Sequence, residues 1–202
     1  MLGVGVGIRR GGVGDRERIV GVLDRAFMDD PVSGWVFPGV EYRRVRHSGL
    51  MGAFTDATLA DGYVDLLEDD SAVALWMDVP SEPHADDGED VPALVREAVD
   101  PDNARIEEIA RLLDEVHPQG RAHTYLWMIG VAPERQGEGL GTALMAPVLD
   151  RCDRAGWPAY LEASSARSRA LYERLGFTVM DRPLQLPDGP TMWPMWREPQ
   201  AG

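Results

Sequence analysis

Apolar positions along this chain switch between a two-residue and a three-to-four-residue period, which lays out a mixed α/β succession. Val4 to Arg9 alternates like a first strand. Ile19, Val20, Leu23 and Phe27 share one face of a helix that opens near Gly14-Asp15 and is broken by Asp29-Asp30-Pro31. A second helix is expected from about Glu41 to Leu59, stopped by Asp61-Gly62. Tyr63 to Leu67 and Ala72 to Val79 read as strands joined by the acidic turn Glu68-Asp69-Asp70-Ser71. From Pro80 to Asp90 the composition is that of a mobile loop. Helix returns between about Pro92 and Val116, with Pro101 as a candidate break and Ile106, Ile109, Ala110 and Leu113 as its apolar stripe.

His123 to Val131 is a strongly apolar strand. A glycine-rich turn follows, then a helix from about Gly139 to Ala155 that holds Pro147, where one backbone hydrogen bond is lost and a kink is expected. Tyr160 to Ala163 is a short strand, and Arg167 to Leu175 a helix closed by Gly176. Phe177 to Asp181 and Thr191 to Arg197 read as a final strand pair. The 202 residues fit one domain, 1–202, with a helical insert at about 80–120.

The charge pattern narrows the partners. The formal net charge is −14, and all 20 basic residues are arginine. Such a surface repels phosphate backbones, so no nucleic-acid partner is expected, and it favours a cationic substrate such as a protonated amine. Cys152 is the only cysteine, so no intrachain disulfide can form, which suits a reducing compartment. The stretch Met1 to Ile8 is too short and glycine-broken for a signal segment, and no apolar run is long enough to span a membrane. A cytoplasmic location without membrane contact is the expectation.

The turn Arg135-Gln136-Gly137-Glu138-Gly139-Leu140-Gly141 carries the chemistry. Strand, glycine turn and helix together hold phosphate well, because the first helical amides lack intrahelical partners and carry partial positive charge. Glycines let the backbone approach the anion, and Arg135 can add a charge-assisted contact. A dinucleotide fingerprint would come in the first βα unit, and a P-loop needs the lysine this chain lacks. The run Gly3-Val4-Gly5-Val6-Gly7 has no helix directly after it and is read as a decoy.

The stretch from Val131 through Gly141 resembles the signature of the GNAT family of N-acetyltransferases. That pattern is Gln or Arg, two residues, Gly, one residue, then Gly or Ala; Gln136, Gly139 and Gly141 match it. Downstream, Leu161-Glu162-Ala163-Ser164 and Ala170-Leu171-Tyr172-Glu173-Arg174-Leu175-Gly176-Phe177 resemble the family's later strand and its helix ending in Tyr-x-x-x-Gly-Phe. The resemblance runs from about Tyr125 to the C-terminus. Within the family this part is most similar to the puromycin N-acetyltransferase branch. Ala26-Phe27-Met28-Asp29-Asp30-Pro31, with Trp35 and Pro38, adds to that likeness.

The resemblance implies a GNAT-like fold: a mixed, mostly antiparallel sheet with a splayed central strand pair, flanked by helices. It implies acetyl-CoA as co-substrate and a homodimer. The motifs do not set the acceptor; the leading reading is the amine of a small molecule, for example an antibiotic such as puromycin, and no metal is expected. The pyrophosphate falls to residues 135–141 and Thr142, and the pantetheine arm to the strand backbone at Ile129 and Val131. A bulge splays the strands there, and Gly130 is compatible with one. Where many members carry Asn, this chain has Ser165 and Ser168, and either can bond the cofactor arm.

Tyr172 is the implied acid. A phenol titrating near about 10 stays protonated beside a thiol at about 8.5, so it can donate to departing sulfur. Glu162 is the candidate base, taking a proton through water or anchoring an ammonium, against a plain helix-capping role. Asp29 and Asp30 would draw in a cation, and Trp35 is the expected aromatic of the substrate pocket, ahead of Phe37, Trp76 and Trp127. His123 titrates in a useful range but is expected to face solvent. The rival functions are a protein or peptide acetyltransferase, which needs an open groove, and a non-catalytic acyl-CoA-sensing module, against which Tyr172 argues.

Overall fold

A computed structural model describes residues 7–82 and 90–200. Most of the Gly3–Gly7 run, the first part of the strand expected at Val4–Arg9 and residues 83–89 of the loop expected at Pro80–Asp90 lie outside them. The strands are β1 (Ile8–Gly11), β2 (Tyr63–Leu67), β3 (Ala72–Val79), β4 (His123–Val131), β5 (Ala159–Ala163), β6 (Thr178–Val179), β7 (Leu184–Gln185) and β8 (Thr191–Arg197). The helices are α1 (Arg16–Phe27), α2 (Pro31–Val36), α3 (Val40–Asp61), α4 (Val91–Val99), α5 (Ala104–Val116), α6 (Leu140–Ala155) and α7 (Ala166–Arg174).

The sheet runs β1-β2-β3-β4-β5-β8-β6, with β7 pairing β8 off that path. β4 and β5 pair in parallel; the other pairings are antiparallel. Alternation along the strands divides the core between two faces. Val64, Leu66, Val73 and Leu75 pack with Ile19 and Leu23 of α1, Leu50 and Met51 of α3, and Ile106 and Ile109 of α5. Leu67, Ala72, Ala74 and Trp76 point the other way, toward Leu144, Val148 and Cys152 of α6 and Tyr172 of α7. Buried His47 ties three helices together through Asp24 at 2.7 Å and Ser33 at 3.0 Å.

Two local outcomes differ from the sequence expectation. Asp29-Asp30-Pro31 ends α1, but Asp30 also starts α2: its carboxylate accepts from the amides of Val32 and Ser33, and Pro31 takes the first helical position. The bulge is not at Gly130. Leu75 faces Met128 and Trp76 faces Leu126, so Trp127 is the extra residue. Gly130 instead lets α1 approach: a Cβ there would sit 3.1 Å from the Ala26 methyl and 3.2 Å from Leu23. Between β3 and β4 lie α4 and α5, separated at Asp100-Pro101-Asp102-Asn103, and α6 runs through Pro147 without interruption.

Candidate active site

The site is built where β4 and β5 part. Their pairing covers only Thr124–Leu126 against Ala159–Leu161. Beyond it, β4 continues to Val131 with β3 on one side, while β5 ends at Ala163. The β4 edge at Trp127–Val131, which includes Ile129 and Val131, therefore has no strand beside it among the described residues. An extended chain can pair along such an edge.

At the end of β4, Gly137 (φ 88°) and Gly139 (φ 83°) take left-handed backbone, which glycine adopts without steric cost. A Cβ on either would meet nothing within 4 Å, so their outer side is open. Gly139 caps α6, and its carbonyl accepts from Ala143, leaving the amides of Leu140, Gly141 and Thr142 at a helix start with no acidic residue in the first turn. This fits an anionic group. Gly141 packs inward against Ile129, Val131 and Leu171. The Gln136 amide donates to the Val131 carbonyl at 3.2 Å. Arg135 is not free: its guanidinium pairs with Asp69 at 2.9 Å and Glu138 at 2.8 Å.

The second motif has a mechanical reason for its spacing. The Phe177 amide donates to the Tyr172 carbonyl and the Gly176 amide to that of Glu173, with Gly176 at φ 89°. This is a Schellman closure, and its apolar contact is the Phe177 ring against the Tyr172 ring at 6.1 Å. Tyr172 is thereby locked at the end of α7. At the other end, Ser165 and Ser168 form a reciprocal capping box. Both side chains are engaged in that cap, and Ser165, not Glu162, starts the helix.

Tyr172 and Glu162 line one cavity of about 380 Å³. Tyr172 is 7% exposed, and burial pushes its phenol above the usual tyrosine range, with the nearby Asp30 charge adding to the shift. The Glu162 side chain is 4% exposed; its Oε2 accepts from the Tyr125 hydroxyl at 2.8 Å, while Oε1 is buried and has no hydrogen-bond partner among the described residues. Burial raises its carboxyl to about 7, the Tyr125 hydrogen bond pulling the other way.

His117, which no sequence pattern singled out, stands beside this carboxylate. Its Nδ1 lies 3.9 Å from Glu162 Oε1, and its Nε2 is 3.1 Å from His123 Nε2. His123 is fully buried, contrary to the expected solvent-facing position, because its Nδ1 bonds the Arg121 carbonyl at 2.7 Å. That bond makes Nδ1 the protonated nitrogen of His123. Its Nε2 then accepts from His117 Nε2–H, so the His117 Nδ1 lone pair faces Glu162. Burial lowers His117 to about 4, with His123 adding to the shift. The two-residue repeat explains the grouping: His123 and Tyr125 share one face of β4, as Tyr160 and Glu162 do of β5.

Asp30 lines the cavity too, besides capping α2; its Oδ2 accepts from the Ser164 hydroxyl at 2.6 Å, and burial raises its carboxyl. Trp35 does not line it. Its ring is buried with the indole N–H on the Pro187 carbonyl at 2.7 Å and Arg105 over its face, so the expected pocket tryptophan is a core residue. Trp127, pushed out by the bulge and packed on Phe54 at 4.8 Å, lines the cavity instead. Phe37 and Trp76 are fully buried.

Residues 109–177, about a third of the chain, match the acetyltransferase (GNAT) family model. An uncharacterized N-acetyltransferase of Schizosaccharomyces pombe is 42% identical over 53 residues, 26% of this chain and 22% of that one. A mycothiol acetyltransferase of Pseudarthrobacter chlorophenolicus is 38% identical over 73 residues, 33% of this chain and 23% of the other. The chain thus spans about a quarter or less of these relatives' length. A Corynebacterium glutamicum crystal structure, described as histone acetyltransferase HPA2 and related acetyltransferase, superposes with TM-score 0.70 at 25% identity, covering 96% of this chain and 97% of that one. The architecture is the GNAT fold: mixed α/β with an open, mostly antiparallel sheet. No described helix is long and apolar enough to cross a membrane.

Proposed function

We propose that the chain is an acetyl-CoA-dependent N-acetyltransferase acting on a small-molecule amine. The observation that carries this reading is the convergence of Glu162 and Tyr172 on one cavity, next to the unpaired β4 edge. Acetyl-CoA supplies an activated acetyl thioester. The residues that would hold it are the α6 amides, Gly137 and Gly139 for its pyrophosphate and the Trp127–Val131 edge for its pantetheine arm, with Thr142, Ser165 and Ser168 nearby. Arg135 and Glu138 frame the turn as an ion pair.

Glu162 takes the proton of the substrate ammonium. A carboxyl near 7 is half ionised at neutral pH and is a stronger base than an exposed one. His117, held neutral by burial, stands with its Nδ1 3.9 Å from Oε1, and at about 4 it leaves that proton on the carboxyl. Tyr172 keeps its own proton because burial disfavours the phenolate, and it holds that proton for the departing sulfur. Asp30 adds negative charge to the acceptor side. The puromycin-like acceptor, the cytoplasmic location and the homodimer belong to this reading as expectations from the sequence.

The test is amine-dependent thiol release. The protein is mixed with acetyl-CoA and a panel of puromycin, polyamines, amino acids and peptides, and free thiol is followed. Acceleration by a small amine supports the reading. Acceleration by peptides alone redirects it to a protein acetyltransferase, and tight binding of acetyl-CoA without turnover on any acceptor leaves a sensing module.

A further inference from the structure

We infer that the acceptor is a primary amine carrying an apolar body, which enters the chamber between α3 and α5 while its amino group meets Glu162; this rests on the transferase reading above. The cavity extends well past the reacting groups. Its far wall is Leu50 and Met51 of α3 with Ile106, Ile109 and Leu113 of α5, and Val95 of α4 closes the side. None of residues 133–142 lines it, so the chamber belongs to the acceptor and not to the phosphate end of the donor.

The polar lining groups are accounted for. Ser33 bonds His47, Ser164 bonds Asp30, and the Asp30 carboxylate also caps α2. The Tyr125 hydroxyl is spent on Glu162. Asp114 is exposed, at the rim. What remains is Glu162 Oε1, His117 and Tyr172 at the reacting end, and the indole N–H of Trp127 on the β4 edge. A polyamine or amino sugar would bury charges or hydroxyls against leucine, isoleucine and methionine with no partner there. The charge of −14 therefore does not describe the chamber, which is apolar except where the amine reacts.

The experiment is a homologous series, propylamine to octylamine, assayed by thiol release with the intact chain. The heads are alike, so differences report the tail. Each methylene buried in the chamber should raise kcat/KM about fourfold, the factor that corresponds to roughly 0.8 kcal/mol, until the chamber is full. Spermidine and 6-amino-1-hexanol should fall well below hexylamine. Leu113→Gln, at a half-buried position, should flatten the rise. Turnover that ignores tail length, or prefers spermidine to octylamine, overturns this inference and leaves the transferase reading standing. Thiol release with none of the amines, while another acceptor works, overturns the inference alone; release with no acceptor at all removes both.

Discussion

Replacing Glu162 by glutamine should separate stability from activity. The new side chain would mimic the protonated acid: its carbonyl can accept from Tyr125, and its amide can donate to the His117 Nδ1 lone pair. In the folded protein Glu162 titrates at about 7 against an ordinary 4.5. The native state therefore holds this proton more tightly than the unfolded chain. The associated stability is complete below about pH 4.5 and is lost as pH rises through about 7. The gap of 2.5 between those values corresponds to about 3 kcal/mol at pH 8. E162Q should be more stable than wild type by that order at pH 8, and the two should converge toward pH 5. For a chain of this size that is a Tm gain of roughly 6–12 °C. Thiol release should meanwhile drop about 10²-fold, since the amide cannot take a proton. Thermal melts at pH 5 and 8, paired with rates, measure both. A variant that is less stable at pH 8, or that keeps full activity, refutes the account of Glu162 as a buried base.

His117→Ala should lower kcat about tenfold at pH 7 and recover part of it when imidazole is added, because the space beside Glu162 Oε1 matches the lost ring; no recovery would reduce His117 to packing. Gly139→Ala forces a left-handed backbone on a residue with a Cβ, so denaturant titration should show a loss of about 1 kcal/mol and calorimetry a weaker acetyl-CoA affinity; unchanged affinity would move the phosphate site elsewhere. Gly176→Ala strains the closure that locks Tyr172 and runs its Cβ into Gln200, so urea unfolding should report a loss of about 2 kcal/mol. Gly130→Val should destabilise through the contact with Leu23 and Ala26, by about 1–3 kcal/mol in the same titration.

Much of the fold was legible because its signals are local. β4 begins and ends where its apolar run does, and the α7 closure is written in Tyr172, Gly176 and Phe177. The α2 helix was missed because Asp30-Pro31 breaks one helix and caps the next with the same atoms. The bulge moved from Gly130 to Trp127 because register depends on the partner strand, which no β4 residue encodes. Glu162 and Tyr172 carried motifs and could be named; His117 carried none, and only the packing of the segment after α5 against β4 and β5 brings it to the carboxylate. Trp35 follows the Asp29-Asp30-Pro31 interruption in sequence, yet its indole finds a carbonyl far downstream, at Pro187.

The central claim is that acyl transfer here uses a buried phenol to protonate the leaving thiolate. The measurement is single-turnover thiol release by Tyr172→Phe at saturating amine, with acetyl-CoA affinity determined by calorimetry on the same preparation. The account predicts a chemical step slowed about 10²-fold with affinity nearly unchanged. A variant that turns over at the wild-type rate would contradict it.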